Sequence, residues 1–341
     1  MMKKLKLLAF IVVTSTSIAV SAQTAILHSA SGVQISKGNT ALASAYTAAQ
    51  GGDTLYLSGG TFTPPAAFDK KLMIFGAGHY VDSTLATGKT FINGNVIVSE
   101  NADLFYLEGI EINGNFSFSS NHSINNAVIK RCKINGTLSI TGDLSNPSNN
   151  LSLIGNVFNS TLNLSNATNV FITNNIFNQV ISPTNGNYIS NNIFLSGGYS
   201  SSYGYCVFWG DNNQLNNNIF LYPNGLAGGI GNVFKNNLMV APTPAYGTTP
   251  TVIDNYTGIA QTAIFVTQTG TAFNYDHNYH LQSPATYIGT DGSQIGIYGG
   301  TFPYKEGAVP LNPHITIKNI APATDNNGNL QIQIQVGAQN D

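Results

Sequence analysis

Four ionisable residues in the last third of the chain could carry out acid–base chemistry: Asp254, Asp276, His277 and His280. The two aspartates are 22 residues apart. If they lie side by side, their carboxylates share a proton and the pKa of one of them rises, as in enzymes that cleave glycosidic bonds. These four residues are therefore candidate catalytic residues. Two alternatives are a metal site through Asp276, His277 and His280, and an ordinary turn at 276–278.

A Tyr-rich segment holds the only tryptophan of the chain. Flat aromatic rings stack on sugar rings, while Asn and Asp side chains bind the hydroxyl groups. The segment lies between Phe194 and Phe220, which are 26 residues apart and bound the longest repeat of the chain. Insertions in repeat proteins often fall in loops on the binding face. We interpret it as a binding loop; the alternative is a core strand that the tyrosines cover. The candidate ligand-binding residues are Tyr199, Tyr203, Tyr205, Trp209 and Asp211.

The elements that position these residues are set by a repeat. Five apolar residues recur at spacings of 20, 22, 24 and 19, namely Ile92, Ile112, Ile134, Phe158 and Phe177. Each is followed by an asparagine, and we assign these asparagines a structural role: Asn93, Asn113, Asn135, Asn159 and Asn178. A period near twenty residues is typical of a solenoid.

Within one repeat, apolar and polar residues alternate in three short runs between 104 and 118, which indicates strands with one buried face. Three strands per coil predict an all-β protein, a parallel β-helix. Chirality favours a right-handed path. At an offset of 22 residues, Glu108 falls opposite Lys130 and Glu111 opposite Lys133, which stabilises this register by roughly 0.2–1 kcal/mol per pair.

A second repeated phrase is Asn-Asn-Ile-Phe, at 174–177, 191–194 and 217–220. Stacked Asn side chains form hydrogen-bonded ladders, and the Ile and Phe are predicted to fill the core. After Phe177 the trailing Asn of the first repeat is lost, and Leu195, Leu221 and Val240 take its place. We expect the functional site to lie in the part of the chain where this repeat is lost.

The ends of the chain differ from the repeats. Residues 1–22 read as a signal peptide, with Lys3, Lys4 and Lys6 before an apolar run and cleavage near Ala22. We predict a β-helix over 23–300, with a helical cap at 40–50, and C-terminal β-cap strands over 301–341. Cys132 and Cys206 are predicted to be separate buried thiols, because the coil spacing puts them too far apart to bond.

Composition excludes some classes of protein. Only 8% of residues are charged, the formal net charge is −2 and there is a single arginine, Arg131. This chain lacks the basic surface of a nucleic-acid binder. No segment after the signal peptide approaches the length of a membrane span. No cofactor and no metal are predicted.

Several phrases resemble the secreted right-handed β-helix proteins of the pectin-lyase-like superfamily. They are Gly-Asp-Thr-Leu-Tyr-Leu at 52–57, Gly-Gly-Thr-Phe at 59–62, the strand and glycine turn at 72–78, and the closing phrases at 279–300. The resemblance implies the fold but not the activity, because that superfamily contains lyases, hydrolases and adhesins. No specific enzyme family is matched. In a lyase, Arg131 with Lys130 and Lys133 would be the only basic cluster.

These observations together predict a secreted or periplasmic protein that binds extracellular glycans or other surface polymers without catalysis, through the aromatic insertion. The first alternative is a polysaccharide lyase or glycoside hydrolase that uses Asp254 and Asp276 with His277 or His280. The second alternative is a purely structural surface or adhesion module.

Overall fold

The computed structural model describes residues 23–81, 85–182, 185–200, 204–223, 226–309 and 313–338; the predicted signal peptide lies outside them. The chain forms an all-β parallel solenoid of about nine turns. Three long sheets, named A, B and C, run along it, and neighbouring strands in each sheet come from successive turns. The predicted repeat is thus confirmed as a solenoid.

Sheet A has twelve strands, and all are parallel from the third onward. Numbered in chain order and given in spatial order, they are β2 (Gly32–Lys37), β1 (Thr24–Ser29), β3 (Thr54–Leu57), β5 (Met73–Phe75), β8 (Tyr106–Glu108), β11 (Val128–Lys130), β15 (Ser152–Ile154), β19 (Phe171–Thr173), β22 (Tyr188–Ser190), β27 (Gln214–Asn216), β30 (Val233–Lys235) and β32 (Thr251–Ile253).

Sheets B and C are shorter and wholly parallel. Sheet B contains β4 (Gly60–Phe62), β6 (Thr90–Ile92), β9 (Glu111–Ile112), β12 (Lys133–Ile134), β16 (Val157–Phe158), β20 (Ile176–Phe177), β23 (Ile193–Phe194), β28 (Ile219–Phe220) and β31 (Leu238–Met239). Sheet C contains β7 (Val96–Val98), β10 (Phe116–Phe118), β13 (Leu138–Ile140), β17 (Leu162–Asn163), β21 (Ile181–Ser182), β26 (Phe208–Trp209) and β29 (Ala227–Gly228).

The remaining elements are small. Three strand pairs lie outside the long sheets: β14 (Ser148–Asn149) with β18 (Ala167–Thr168), β24 (Gly198–Ser200) with β25 (Gly204–Cys206), and β33 (His314–Ile320) with β34 (Ile332–Gly337). The helix α1 (Ala41–Ala48) packs against β1, β2 and β3. Two 3-10 turns span Gln261–Ala263 and Glu306–Ala308. Among the described residues, no helix has the length and apolar character to cross a membrane.

The solenoid interior is filled by apolar residues from all three sheets, one from most strands of sheet B and two from strands such as β10 of sheet C. Successive strands of sheet B pair in the register that the period predicts, so that Ile112 pairs with Ile134 and Phe158 with Phe177. From Phe158 to Phe220 the phenylalanine rings stack with centroids 4.9, 4.9 and 4.7 Å apart. This spacing is close to the distance between neighbouring strands, because each ring lies on the strand one turn away. The sequence period therefore sets the packing of the core.

A buried asparagine ladder runs along the turns between sheets A and B. Each amide nitrogen donates to a backbone carbonyl at 2.8–2.9 Å, and all but the last, that of Asn255, also donate to the Oδ1 of the next asparagine at 2.9–3.0 Å. Each Oδ1 also accepts a backbone N–H from the preceding turn. Every polar group of the ladder is therefore satisfied, which burial requires. Its members are Asn156, Asn175, Asn192, Asn218, Asn237 and Asn255.

The trailing asparagines predicted as structural form a second, partly exposed ladder. Asn113 donates to Asn93 at 3.3 Å, and Asn159 donates to Asn135 at 2.6 Å. Between these two pairs, Asn135 donates instead to the carboxylate of Glu111 at 3.0 Å. Asn178 continues the row by donating to Asn159 at 2.8 Å.

The predicted register of the charged strands is observed: Lys130 pairs with Glu108 and Lys133 with Glu111. Lys133 Nζ lies 3.6 Å from the Glu111 carboxylate. For Glu108, however, the ion pair that the structure shows is with the buried Arg131, at 3.3 Å. Lys130 Nζ instead lies 6.0 Å from the centre of the Phe302 ring. The predicted strand pairing is therefore correct, and the structure adds Arg131 as a cation beside Glu108.

After Ile253 the chain leaves the three sheets, and residues 260–309, here called the C-terminal segment, run back along the outside of sheet B. The outward side chains of β16, β20, β23, β28 and β31 form a second apolar cluster with the segment. From the segment this cluster takes Ile264, Phe265, Leu281, Ile295 and Ile297, all nearly inaccessible to solvent. Each Ile-Phe pair of the repeat thus fills two cores, since successive residues of a strand point to opposite faces.

The C-terminal segment is held by the first asparagine of each Asn-Asn pair. Asn174 Nδ2 donates to the carbonyls of Ile297 and Gly299 at 2.8 and 2.7 Å. Asn217 Oδ1 accepts the N–H of Thr290 at 2.8 Å. These outer asparagines have positive φ, 57° at Asn174 and 60° at Asn217, a conformation that Asn tolerates better than most residues.

Candidate ligand-binding groove

Three cavities lie along the C-terminal segment, two of them between the segment and the outward side chains of sheet A. The tyrosine cavity, about 250 Å³, is lined chiefly by Phe273, Tyr275, Tyr279, Tyr298, Tyr304 and Tyr80. The lysine cavity, about 390 Å³, is lined by Lys130, Arg131, Phe302, Tyr304 and Lys305. The amide cavity, about 460 Å³, is lined by Phe171, Tyr188, Asn191, Asn217, Asp291 and Phe302. Neighbouring cavities share residues, so together they form one groove.

Strands β19 and β22 supply the floor of the amide cavity. Phe171 and Tyr188 occupy the same outward position on adjacent turns, and their rings stack 5.5 Å apart at an angle of 7°. The ring of Phe302, from the C-terminal segment, meets Phe171 nearly at right angles, 6.3 Å away. Beside these rings, Ser190 donates a hydrogen bond to Thr173 at 3.2 Å. The cavity therefore combines aromatic faces with neutral hydroxyl and amide groups.

Strand β11 and the turn after it supply the charged wall of the lysine cavity. Arg131 forms an ion pair with Glu108 at 3.3 Å and donates a hydrogen bond to the Val309 carbonyl at 3.3 Å. Its guanidinium therefore also binds the end of the C-terminal segment. The hydroxyl of Tyr106 donates to Glu108, and burial, with the nearby Glu108 charge, raises the pKa of Tyr106. This part of the groove is cationic and aromatic.

The tyrosine cavity lies over the N-terminal turns of the solenoid. Tyr275 stacks on Tyr80 with centroids 4.4 Å apart, and its hydroxyl lies 2.7 Å from Nδ1 of the buried His79. Burial raises the pKa of Tyr279 to about 12 and also raises the pKa of Tyr298. These tyrosines are therefore neutral at physiological pH.

A cluster of charges lies beneath this cavity. The carboxylate of Glu111 accepts hydrogen bonds from Lys89 at 2.6 Å and from Asn135 at 3.0 Å. Lys133 Nζ lies 4.8 Å from the centre of the Tyr275 ring. Burial by itself raises the pKa of Glu111, but the hydrogen bonds from Lys89 and Asn135 and the Lys133 charge outweigh it and lower the pKa. Glu111 is thus a carboxylate that offsets part of the charge of the two lysines beside it.

The structure separates the four candidate catalytic residues. Asp276 and His277 line the tyrosine cavity. His280 is exposed beside it, stacked on Tyr298 at 3.8 Å, with Nδ1 3.6 Å from Glu306. Asp254 occupies the exposed turn after β32 and does not line this cavity. Among the described residues, no three His, Cys, Asp or Glu side chains are grouped to hold a metal ion.

The aromatic insertion forms the antiparallel pair β24–β25 followed by β26. Tyr203 lies outside the described residues, and only Trp209 and Asp211 of the five candidates have described side chains. Trp209 is half-buried in sheet C, and the carboxylate of Asp211 accepts the N–H of Ile230 at 2.8 Å. Neither lines the three cavities of the groove. Cys132 has a buried free thiol, as predicted.

Two groups of groove residues were not identified from sequence. Phe171 and Tyr188 each stand three residues before an Asn-Asn pair, so the repeat carried a signal that they stack. Phe302, Tyr298 and Glu306 reach the groove only because the C-terminal segment folds back, and no local pattern marks them. Comparison with protein-family models, curated proteins and solved structures found no match to this chain.

Proposed function

We propose that this protein binds extracellular glycans without catalysis, in the part of the groove formed by the lysine and amide cavities, here called the glycan groove. The observation that carries the proposal is the position of Phe302, a 40% exposed ring that lines both cavities. A ring exposed between two polar cavities offers a flat apolar surface for one sugar, with hydrogen-bonding groups on either side for its neighbours.

The groove walls have the mixture of groups that sugar binding requires. Phe171 and Tyr188 present aromatic surface, and Thr173, Ser190 and Asn191, each almost fully buried, line the same cavity with hydroxyl and amide groups. Phe171 and Tyr188 come from adjacent parallel strands, so their two rings lie 5.5 Å apart in a row along the groove. With Phe302, they offer a chain of sugars more than one aromatic face.

The first prediction is that Phe302→Ala and Tyr188→Ala each weaken glycan binding. Loss of an aromatic anchor costs about 2 kcal/mol, which is roughly 30-fold in Kd. The measurement is a glycan array with the wild-type protein, followed by titration of each variant with the polysaccharide that binds best. Circular dichroism melting checks that the variants remain folded.

The matched control is Tyr56→Ala. Tyr56 is 39% exposed on the same sheet but does not line the groove cavities, so its loss should leave the affinity unchanged. Equal losses in all three variants, or no binding to any glycan on the array, would contradict the proposal and favour the structural-module alternative.

The enzymatic alternative makes a different prediction. A lyase or hydrolase that uses Asp276 with His277 or His280 would release unsaturated or reducing sugar ends from a polysaccharide, and Asp276→Asn would abolish the release. Binding without any release of such ends, under conditions that saturate the groove, favours the non-catalytic function.

We also propose the finer architecture and location that the sequence suggests: a right-handed β-helix of the pectin-lyase-like kind, with three strands per coil and capped ends, secreted or periplasmic after cleavage near Ala22. The strand alternation, the N-terminal helix and the leader pattern support these proposals. A crystal structure of the mature chain tests the handedness of the solenoid. N-terminal sequencing of the secreted protein tests the cleavage site.

A further inference from the structure

The tyrosine cavity differs chemically from the rest of the groove. Five tyrosines and one phenylalanine line it, together with the carboxylates of Asp276 and Glu306, and no lysine or arginine is among its described lining residues. The lysine cavity next to it has three basic residues in its wall. The two cavities therefore attract ligands of opposite charge.

The rings of the tyrosine cavity stand at right angles to one another in two places. Tyr298 and Tyr304 cross at 87° with centroids 6.3 Å apart. Phe273 crosses Tyr275 at 80°, 4.8 Å away, and lies parallel to Tyr279 at 5.8 Å. Perpendicular aromatic walls around a small space are the arrangement found in aromatic cages, where ring faces attract an organic cation.

Three tyrosine hydroxyls of this cavity already have partners within the protein. The hydroxyl of Tyr298 donates to Glu306 at 3.0 Å, that of Tyr279 accepts the N–H of Asn274 at 3.0 Å, and that of Tyr275 contacts His79. A sugar, which needs hydroxyl partners, therefore finds few free tyrosine hydroxyls here. A cation without N–H groups needs none and uses the ring faces instead.

Two carboxylates, Asp276 and Glu306, give this cavity negative charge. On the solenoid side, Lys133 Nζ lies 4.8 Å from the Tyr275 ring centre, so one ring of the cluster already has a cation against it. Glu111 contacts both Lys133 and Lys89 and offsets part of their charge.

We propose that the tyrosine cavity binds a small quaternary ammonium ligand of the choline type. Its volume of about 250 Å³ suits a trimethylammonium group with a short substituent. The neutral aromatic walls bind the cation through their π faces, and the two carboxylates raise its local concentration. This site is separate from the proposed glycan groove, although Tyr304 borders both.

The experiment is isothermal titration calorimetry of the mature protein with choline and with its uncharged analogue, in which a tert-butyl carbon replaces the nitrogen. The two ligands have the same shape, so a difference between them reports charge alone. Choline should bind at least about tenfold more tightly. Equal affinities, or tighter binding of protonated ethanolamine than of choline, would overturn the proposal.

Two substitutions of Tyr298 test the contributions of its ring and of its hydroxyl separately. Tyr298→Leu should weaken choline binding by about tenfold or more, while Tyr298→Phe, which keeps the ring, should retain it. Glu306→Gln should weaken choline but not the uncharged analogue. Tyr222→Leu, at a half-buried tyrosine of the solenoid core, is the matched control and should bind as the wild type does. Choline binding that persists in Phe302→Ala distinguishes this site from the glycan groove.

Discussion

His79 is the most strongly perturbed histidine of the described chain. It is fully buried under Tyr275, and its Nε2 has no hydrogen-bond partner. Burial, reinforced by the charges of Lys133 and Lys89 and partly opposed by Glu111, lowers the pKa of His79 from 6.5 to about 3. The folded protein therefore keeps this ring neutral at a pH at which the unfolded chain protonates it.

The pH dependence of stability follows from this shift. Below pH 6.5 the unfolded chain takes up a proton that the folded protein does not take up until about pH 3, so the free energy of unfolding should fall by about 1.4 kcal/mol per pH unit. Urea denaturation between about pH 7 and 5 measures the slope. Protonation of Glu111, whose pKa is lowered, adds to the loss at more acidic pH.

His79→Gln removes the titrating group and should flatten the slope in that range. His28→Gln, at an exposed histidine, is the matched control. A slope that is the same in the wild type and in His79→Gln would show that His79 does not control the acid sensitivity.

At the scale of elements, the two asparagines of each Asn-Asn pair have different partners. The second side chain lies in the buried ladder and joins one turn to the next, as Asn175 does. The first, as in Asn174, reaches outward to the C-terminal segment. One dipeptide thus connects the solenoid both to itself and to the chain that covers it.

The outer contact is tested by Asn174→Gly. Glycine keeps the left-handed backbone but removes the amide that bonds Ile297 and Gly299, so the free energy of unfolding should fall by about 1–3 kcal/mol. Asn169→Gly is the matched control, because Asn169 also has positive φ but its side chain is exposed. Equal losses in the two variants would assign the effect to the backbone.

At the scale of the whole molecule, two C-terminal parts should differ in importance. The C-terminal segment covers the outer apolar row of sheet B. The hairpin β33–β34 contributes to neither apolar cluster, and Ile332, Ile334 and Val336 are more than half exposed. The first part is thus integral to the core, and the second is peripheral to it.

Truncation tests this division. Removal of residues 313–341 should change Tm by less than about 4 °C, whereas removal of 260–341 should expose the apolar row and cause aggregation. Melting curves with light scattering measure both outcomes. If the protein without residues 260–341 stays monomeric and melts as the full chain does, the second apolar cluster does not stabilise the fold.

The features predicted correctly from the sequence are those that repeat from one turn to the next. Ile112 and Ile134 pair because stacked turns are one period apart, and the Asn ladders follow from the same spacing. The Ile-Phe phrase predicted buried residues, but not that they divide between two cores, the outer of which is covered by another part of the chain. It could not show which part of the chain provides the cover.

The groove and the tyrosine cavity depend on contacts that no period encodes. Asn174 and Ile297 are 123 residues apart, and His79 and Tyr275 are 196 apart. By itself the sequence determined the solenoid, its registers and its ladders, because each depends on neighbours one turn away. Only the tertiary structure decided where Phe302, Tyr298 and Glu306 lie, because they meet the solenoid after the chain has turned back along it.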